Sequence, residues 1–159
     1  MALTDLLIAL LLVAPQAAWL AAALLENLRH PAVNARLVAE TLAMEPVRQE
    51  PATWVLVQGN RIEHPGLQRW AFRLIVLWEA LVLLAQLAAV LWLGLAALGW
   101  AGQAGLRALL LAGVGGFTLL WGLLLAGGQW LYVWVAAPQL QTTHFLLLLW
   151  GVATLAVLR

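Results

Sequence analysis

The sequence contains no cysteine. This absence excludes disulfide bonds, a thiolate nucleophile and any metal or iron–sulfur centre held by cysteine. Lysine is also absent, so all eight basic side chains are scattered arginines, and the formal net charge is only +1. A nucleic-acid-binding protein would show a basic patch or stripe. The sequence therefore predicts no nucleic-acid partner, and arginine in place of lysine indicates the GC-rich codon usage of many bacteria.

Charged residues are scarce along the whole chain. Only 9% of the 159 residues are charged and 65% are hydrophobic, whereas soluble globular proteins carry about 25% charged residues. A water-soluble core of this length does not need so much apolar surface. The composition therefore predicts an integral membrane protein whose first partner is the lipid bilayer.

The central apolar stretch covers residues 70–100 and has a tryptophan at both ends. A transmembrane helix needs about 20 apolar residues, because it rises 1.5 Å per residue through a hydrocarbon layer about 30 Å thick. This stretch is long enough to span. It contains a carboxylate, Glu79, and an amide, Gln86. An ionisable residue inside a membrane helix indicates a candidate functional site.

Three further apolar segments accompany this stretch. We expect four membrane spans, at about residues 3–25, 70–98, 106–135 and 142–158, within one domain. The predicted fold is an all-α, integral membrane four-transmembrane-helix bundle. Four spans place both termini on one side of the membrane and the long connecting segment on the other.

Residues 26–69 form a polar extramembrane segment with five of the eight arginines and five of the seven acidic residues. Within it, residues 31–45 predict one amphipathic helix that begins near Pro31 and stops before Pro46. We expect this helix to lie along the membrane interface. Residues 54–57 are predicted to form a loop that touches the bilayer, and a short strand is the alternative.

Small residues and tryptophans predict packing and anchoring positions. Alanines recur every four positions in the first span, and glycines crowd the third, a pattern that favours close helix packing. The predicted packing residues are Ala14, Ala18, Ala22, Gly116, Gly127 and Gly128. Tryptophan is enriched at membrane interfaces. The predicted anchors are Trp70, Trp130 and Trp134 at one interface and Trp100 at the other.

Several separate motifs resemble the family of predicted small bacterial integral membrane proteins called domain of unknown function 2165. They are Asn27, residues 38–42 with Met44 and Glu45, Trp78-Glu79-Ala80, Gly127-Gly128-Gln129-Trp130 with Trp134, and residues 141–145. The resemblance extends over nearly the whole chain. Two features depart from the family pattern, since Gln129 stands where an acidic residue is common and Arg107 alone represents the usual basic loop.

The resemblance also implies an orientation. It predicts a multi-pass protein of the bacterial inner membrane with cytoplasmic termini and residues 26–69 in the periplasm. The arginine count points the other way, since five arginines lie in the polar segment and only Arg107 and Arg159 lie on the side of the termini. We adopt the orientation that the family implies. No established reaction comes with the family.

Three polar residues, Glu79, Gln86 and Gln16, are candidates within the membrane. Counted along the predicted spans, Gln16 and Gly127 lie level with Glu79 on neighbouring helices. A carboxyl that joins helices by hydrogen bonds is the structural interpretation, and a proton or cation relay is the functional one. We favour the structural interpretation, because only Gln86 follows on the same face, about 10 Å along the axis.

On the polar side of the membrane, the candidates are Asn27, Gln129 and His144. His30, His64 and His144 are all expected there, but no two of them have a ligand spacing such as i, i+4. The sequence therefore predicts no metal site.

Three tryptophans, Trp78, Trp121 and Trp150, lie well inside their spans, where an indole N–H needs an acceptor. One interpretation is that Trp78, which precedes Glu79, forms the wall of a pocket. We favour packing as the role of these residues.

The sequence offers no Ser-His-Asp arrangement, phosphate-binding loop or pair of carboxylates, so it predicts neither an enzyme nor a bound cofactor. The favoured function is a non-catalytic accessory or structural subunit of a larger bacterial membrane complex, of respiratory or photosynthetic type, in contact with other membrane protein subunits. A small proton-linked transporter using Glu79 is one alternative. A redox subunit that binds a quinone, haem or pigment on the histidine side is another.

Overall fold

The computed structural model describes residues 2–158, which form an all-α protein. Over this range the chain has seven α-helices and two 3-10 turns. The helices are α1 (Leu3–Arg29), α2 (Pro31–Leu42), α3 (Pro51–Val57), α4 (Pro65–Ala97), α5 (Leu106–Trp130), α6 (Val133–Ala136) and α7 (Pro138–Val157), and the turns are Glu45–Gln49 and Gln58–Asn60. Arg159, which enters the arginine count above, lies outside the described residues.

Four of the helices, α1, α4, α5 and α7, are long and apolar enough to cross a membrane. Helix α4 packs against α1 and α5, and α5 packs against α7. Helices α1 and α4 run antiparallel, since Gln16 and Asn27 of α1 bond in reverse order to Gln86 and Glu79 of α4. The prediction of an all-α four-helix membrane bundle is confirmed.

Two apolar clusters fill the inside of the bundle. One lies near the chain termini and includes Val13, Leu93 and Val114. The other lies nearer the polar segment and includes Leu20 and Phe117. The outer faces of the helices expose many leucines. Because lipid is as apolar as leucine, close packing and internal hydrogen bonds have to hold such helices together.

The helix ends differ from the predicted span limits. Helix α1 extends beyond residue 25. Helix α4 begins at Pro65, where the His64 side chain accepts hydrogen bonds from two backbone N–H groups of the first turn. Helix α5 ends at Trp130, and Tyr132 then adopts a left-handed conformation with φ 55°. Helix α7 begins at Pro138, a residue suited to the first helical position.

Residues 30–64 form a cap over one end of the bundle, here called the capped end. Helix α2 is the predicted amphipathic helix, but it ends at Leu42, because Met44 takes a left-handed conformation with φ 56°. A third apolar cluster joins the cap to the chain after α5, and it contains Met44, Val47, Val57, Leu131 and Val133. The cap and the end of the third span therefore share one core.

Helix α3 corrects the interpretation of residues 54–57. The sequence predicts a loop or a strand there, and both are wrong, because these residues lie in the helix Pro51–Val57. Pro51 occupies the first turn, where its missing N–H is tolerated. Arg48 and Arg61 both contact Trp54, with guanidinium carbons 5.0 and 6.0 Å from the ring centroid. These contacts hold the short helix against the rest of the cap.

Candidate functional site

A cavity of about 370 Å³ lies between α2 and the capped end of the bundle. Its walls come from α2, α4, α5 and α7, together with Leu131 and Val133. Helix α2 contributes Leu37, Val38 and Leu42, which belong to the apolar face that the sequence directs at the membrane interface. Part of this amphipathic face therefore lines a half-open cavity, at whose edge Leu37 and Leu140 stay exposed.

Three residues that line the cavity each have a buried polar atom without a hydrogen-bond partner within residues 2–158, and these atoms are Trp121 Nε1, Gln141 Oε1 and His144 Nδ1. Trp121 is 7% exposed and Gln141 is 8% exposed. Leaving a buried polar group without a partner costs about 1–3 kcal/mol. Such groups are rare in native proteins and call for an explanation where several occur together.

Two neighbouring helices bring these groups together. Gln141 and His144 are three positions apart on α7 and so share one face of that helix. Gly128 of α5 has no side chain, which lets Gln141 pack directly against α5. The Gln141 Nε2 donates to the Leu125 carbonyl at 2.8 Å. The rings of His144 and Trp121 are in contact, with centroids 5.6 Å apart.

Glu79 also lines the cavity. It is 4% exposed, and Asn27 Nδ2 donates to its Oε2 over 2.7 Å. Asn27 can bond to Glu79 because α1 continues to Arg29. Asn27 also lines a groove of about 520 Å³ on the outside of α1 and α4, together with Arg73. The Asn27–Glu79 hydrogen bond therefore lies between the cavity and this outer groove.

A second polar group lies deeper in the bundle. Gln16 Nε2 donates to Thr154 Oγ1 over 2.8 Å, and Gln86 Nε2 lies 3.4 Å from Gln16 Oε1. Gln16 and Gln86 are fully buried. The prediction that Gln16 lies level with Glu79 is wrong, since Gln16 is level with Gln86. These bonds join α1, α4 and α7.

The polar candidates within the membrane thus form two separate groups. By position along their helices, the buried side chains of Leu20, Val82 and Phe117 lie between the pair Asn27–Glu79 and the deeper glutamines. A proton relay needs a continuous chain of polar groups. The arrangement favours helix-joining roles for the deeper group and leaves Glu79 associated with the cavity.

The three histidines lie in different surroundings. His64 Nδ1 accepts from the backbone at the start of α4. His30 Nε2 lies 3.8 Å from Glu26 Oε2 on the surface. His144 lines the cavity. Over residues 2–158, no three His, Asp or Glu side chains come together as a candidate metal site.

The glycines predicted to pack helices differ in their surroundings. A Cβ at Gly116 would meet Val82 Cγ2 at 2.7 Å, and one at Gly128 would overlap Gln141. Both positions therefore need glycine for close approach. Gly127 lines the cavity, and a Cβ there would have open space around it.

The three predicted packing alanines of α1 do not lie in the buried core of the bundle. Ala18 and Ala22 are exposed and Ala14 is half-buried. The buried face of α1 is instead formed by Leu6, Ala9, Val13, Gln16, Ala17 and Leu20. The predicted packing alanines therefore lie at the edge and on the outside of the bundle, where a neighbouring helix would reach them.

The predicted tryptophan anchors lie on the surface at both ends of the bundle. Trp70, Trp130 and Trp134 are exposed towards the capped end, and Trp100 is exposed at the opposite end. This distribution fits the aromatic belts of a membrane protein. Gln129 is exposed on the last turn of α5 and lies outside the lining of the cavity.

Sequence reasoning missed part of the site. Trp121 is interpreted there as a packing residue, yet it also lines the cavity. Gln141 enters only through the family resemblance, and Thr154 is not singled out at all. The available signal is the i, i+3 spacing of Gln141 and His144, which puts two polar side chains on one face of an apolar helix.

Comparison with known proteins places the chain in a family. The model of a family described as "Predicted small integral membrane protein (DUF2165)" matches residues 5–159. No curated protein and no solved structure matches the chain. The matched region covers nearly the whole sequence, and the four apolar helices agree with the family description. The chain therefore belongs to the DUF2165 family of predicted small integral membrane proteins.

Proposed function

We propose that this protein binds one small amphiphilic molecule within the membrane, in the cavity beneath α2. The observation that carries the proposal is that Trp121, Gln141 and His144 all line one apolar cavity and that each keeps a buried polar atom without a partner, namely Nε1, Oε1 and Nδ1. Each unpaired group lowers stability, so a partner from outside the chain would be favourable. A ligand with one polar end would provide the missing partners once these side chains turn towards it.

The size and lining of the cavity support the same proposal. Sites for small molecules usually measure about 300–1,000 Å³ and combine apolar walls with a few convergent polar groups. The cavity has about 370 Å³ and is lined mainly by leucine, valine, alanine and isoleucine, with polar residues on α2, α4, α5 and α7. The apolar part of a membrane-soluble molecule would lie against these walls.

A pair of glycine variants tests the proposal. Gly127→Leu would fill part of the cavity, because Gly127 lines it and has space for a Cβ. Gly115→Leu is the matched control, since Gly115 lies on the same helix, also has space, and is absent from the cavity lining. Binding of tritiated decanol to the full chain in phosphatidylcholine nanodiscs would be measured by scintillation proximity, with protein-free nanodiscs subtracted.

We expect saturable binding to the wild type and to Gly115→Leu. Gly127→Leu should weaken it roughly tenfold, because overlap with the new side chain costs about as much as overpacking a core. Binding that never exceeds the protein-free nanodiscs, or that is equal in both variants, would overturn the proposal.

A role as a non-catalytic subunit of a larger membrane complex is a second proposal. The exposed alanine stripe at Ala18 and Ala22 supports it, since small residues let a helix from another subunit approach closely. Native mass determination after purification in a mild detergent tests it. A defined partner supports the proposal, and a solitary monomer with nothing bound contradicts it.

Two alternatives involve the same cavity. Proton-linked transport would use Glu79, and a redox subunit would hold a quinone, haem or pigment near His144, and both of these residues line the cavity. An absorption spectrum of the purified protein tests the haem and pigment forms of the redox alternative. Haem or pigment would absorb in the visible range, whereas a colourless protein that binds decanol favours the first proposal.

A further inference from the structure

We propose that the cavity beneath α2 selects a lipophilic amine, bound as an ammonium ion with Glu79 as its counter-ion. This inference rests on the proposed binding function and adds the chemical class of the ligand. It follows from the charges and hydrogen-bonding groups that line the cavity.

The charge of the lining favours a cation. Glu79 is the one acidic residue at the cavity, and no arginine lines it within the described part of the chain. The nearby Arg73 lines the outer groove instead, on the other side of the Asn27–Glu79 bond. A buried acid is charged only where a partner charge compensates it, and Asn27 supplies only a neutral amide. An ammonium group would complete the pairing.

Hydrogen-bonding capacity points the same way. The Glu79 carboxylate and Gln141 Oε1 are acceptors, and His144 Nδ1 accepts in the tautomer that carries its proton on Nε2. An alkylammonium has three N–H donors, which is enough for these acceptors when the Gln141 and His144 side chains turn towards it. Trp121 Nε1–H is a buried donor without a partner among residues 2–158, and it fits a hydroxyl or ether oxygen on the same ligand.

The same lining disfavours other classes of amphiphile. A fatty acid would bring a second carboxylate beside Glu79 without any arginine to neutralise it. A plain hydrocarbon would leave the unpartnered atoms of Gln141, His144 and Trp121 as they are. A neutral alcohol would provide partners for some of these atoms, and it therefore serves as the reference ligand.

Three ligands with the same ten-carbon chain test this inference. Decylamine, decanol and decanoic acid would be compared at neutral pH on the full chain in phosphatidylcholine nanodiscs, where the amine is protonated. The variant Glu79→Gln removes the charge and keeps an acceptor for Asn27. Glu26→Gln is the matched control. Glu26 is an exposed carboxylate next to Asn27 on α1, and it does not line the cavity.

We expect decylamine to bind about tenfold or more tightly than decanol, as a charge-assisted hydrogen bond implies, and decanoic acid to bind most weakly. Glu79→Gln should remove the preference for the amine over decanol, and Glu26→Gln should keep that preference and leave both affinities unchanged. A wild type that binds amine and alcohol equally would refute the ligand class while the binding function stands. If no ligand binds saturably, the binding function itself fails. Should Glu79→Gln not fold, the comparison on the wild type alone decides.

Discussion

Asn27 Nδ2 lies 2.7 Å from Glu79 Oε2, and this hydrogen bond joins the last turns of α1 to the middle of α4. Glu79 is 4% exposed, so its carboxyl has little contact with surrounding solvent or lipid. The bond therefore both fixes two helices and supplies a partner for a buried acid.

Removing the amide should destabilise the bundle. We expect Asn27→Leu to lower the free energy of unfolding by about 1–3 kcal/mol, because Glu79 Oε2 loses its donor. Unfolding in mixed micelles with increasing dodecyl sulfate, followed by circular dichroism, measures the change. The control is Asn34→Leu, since Asn34 Nδ2 bonds at 3.1 Å to the Glu26 carbonyl in an exposed position.

The double variant Asn27→Leu/Glu79→Leu sharpens this test. Replacing both partners by apolar side chains removes the unpaired acid, so the double variant should be more stable than Asn27→Leu alone. Equal losses for Asn27→Leu and Asn34→Leu would argue against a special role for the Asn27–Glu79 bond.

The deeper polar group gives a second prediction. Thr154→Val replaces the hydroxyl that accepts from Gln16 Nε2 at 2.8 Å, and we expect a loss of about 1 kcal/mol in the free energy of unfolding. Thr143→Val is the matched control, because the Thr143 hydroxyl bonds only to its own helix, at Gln139 O, as Thr154 also does at Trp150 O. If Thr143→Val is as destabilising as Thr154→Val, the bond between helices contributes nothing measurable.

Alanine substitutions at two glycines of α5 should change the free energy of unfolding in opposite directions. A Cβ at Gly113 would lie 2.9 Å from Gln86 Cγ and 3.1 Å from its backbone N, so Gly113→Ala should force α4 and α5 apart and cost about 1–3 kcal/mol. A Cβ at Gly115 meets nothing within 4 Å, so Gly115→Ala should stabilise the helix by about 0.5–1 kcal/mol. The same unfolding assay measures both variants, and a stabilising Gly113→Ala would contradict the close contact.

The orientation in the membrane is a fourth prediction. The chain lacks cysteine, so single-cysteine variants can be labelled without background. Gly59 in the cap and Gly102 in the loop after α4 are exposed, and each has room for a Cβ. If the termini are cytoplasmic, a membrane-impermeant maleimide should label Gly59→Cys in intact spheroplasts and Gly102→Cys only after lysis. The reverse pattern would support the orientation that the arginine count suggests.

The four spans could be predicted because lipid imposes a simple requirement on composition and length. The limits of the helices follow local interactions that hydropathy does not report. Helix α4 begins before Trp70, because Pro65 and the His64 side chain start it within a polar sequence. Helix α5 ends where Tyr132 turns left-handed, and no glycine or proline marks that position in the sequence.

These errors in helix limits led to an error in the site. The additional turn of α1 carries Asn27 to the level of Glu79, whereas the predicted span ends before Asn27 and places Gln16 there. Glu79 itself could be identified, because a lone acid in an apolar helix is conspicuous. The cavity could not be predicted, since it depends on how α2 crosses the bundle and brings Leu37 and Val38 over α5 and α7.

The cluster shared by the cap and the chain after α5 has a consequence for engineering. Met44, Val47 and Val57 of the cap complete their packing only with Leu131 and Val133, more than seventy residues further along the chain. The cap is therefore not an interchangeable module. A chimera that exchanges residues 43–57 between relatives has to exchange residues 131–133 with them, because either half alone would present a mismatched surface to the other.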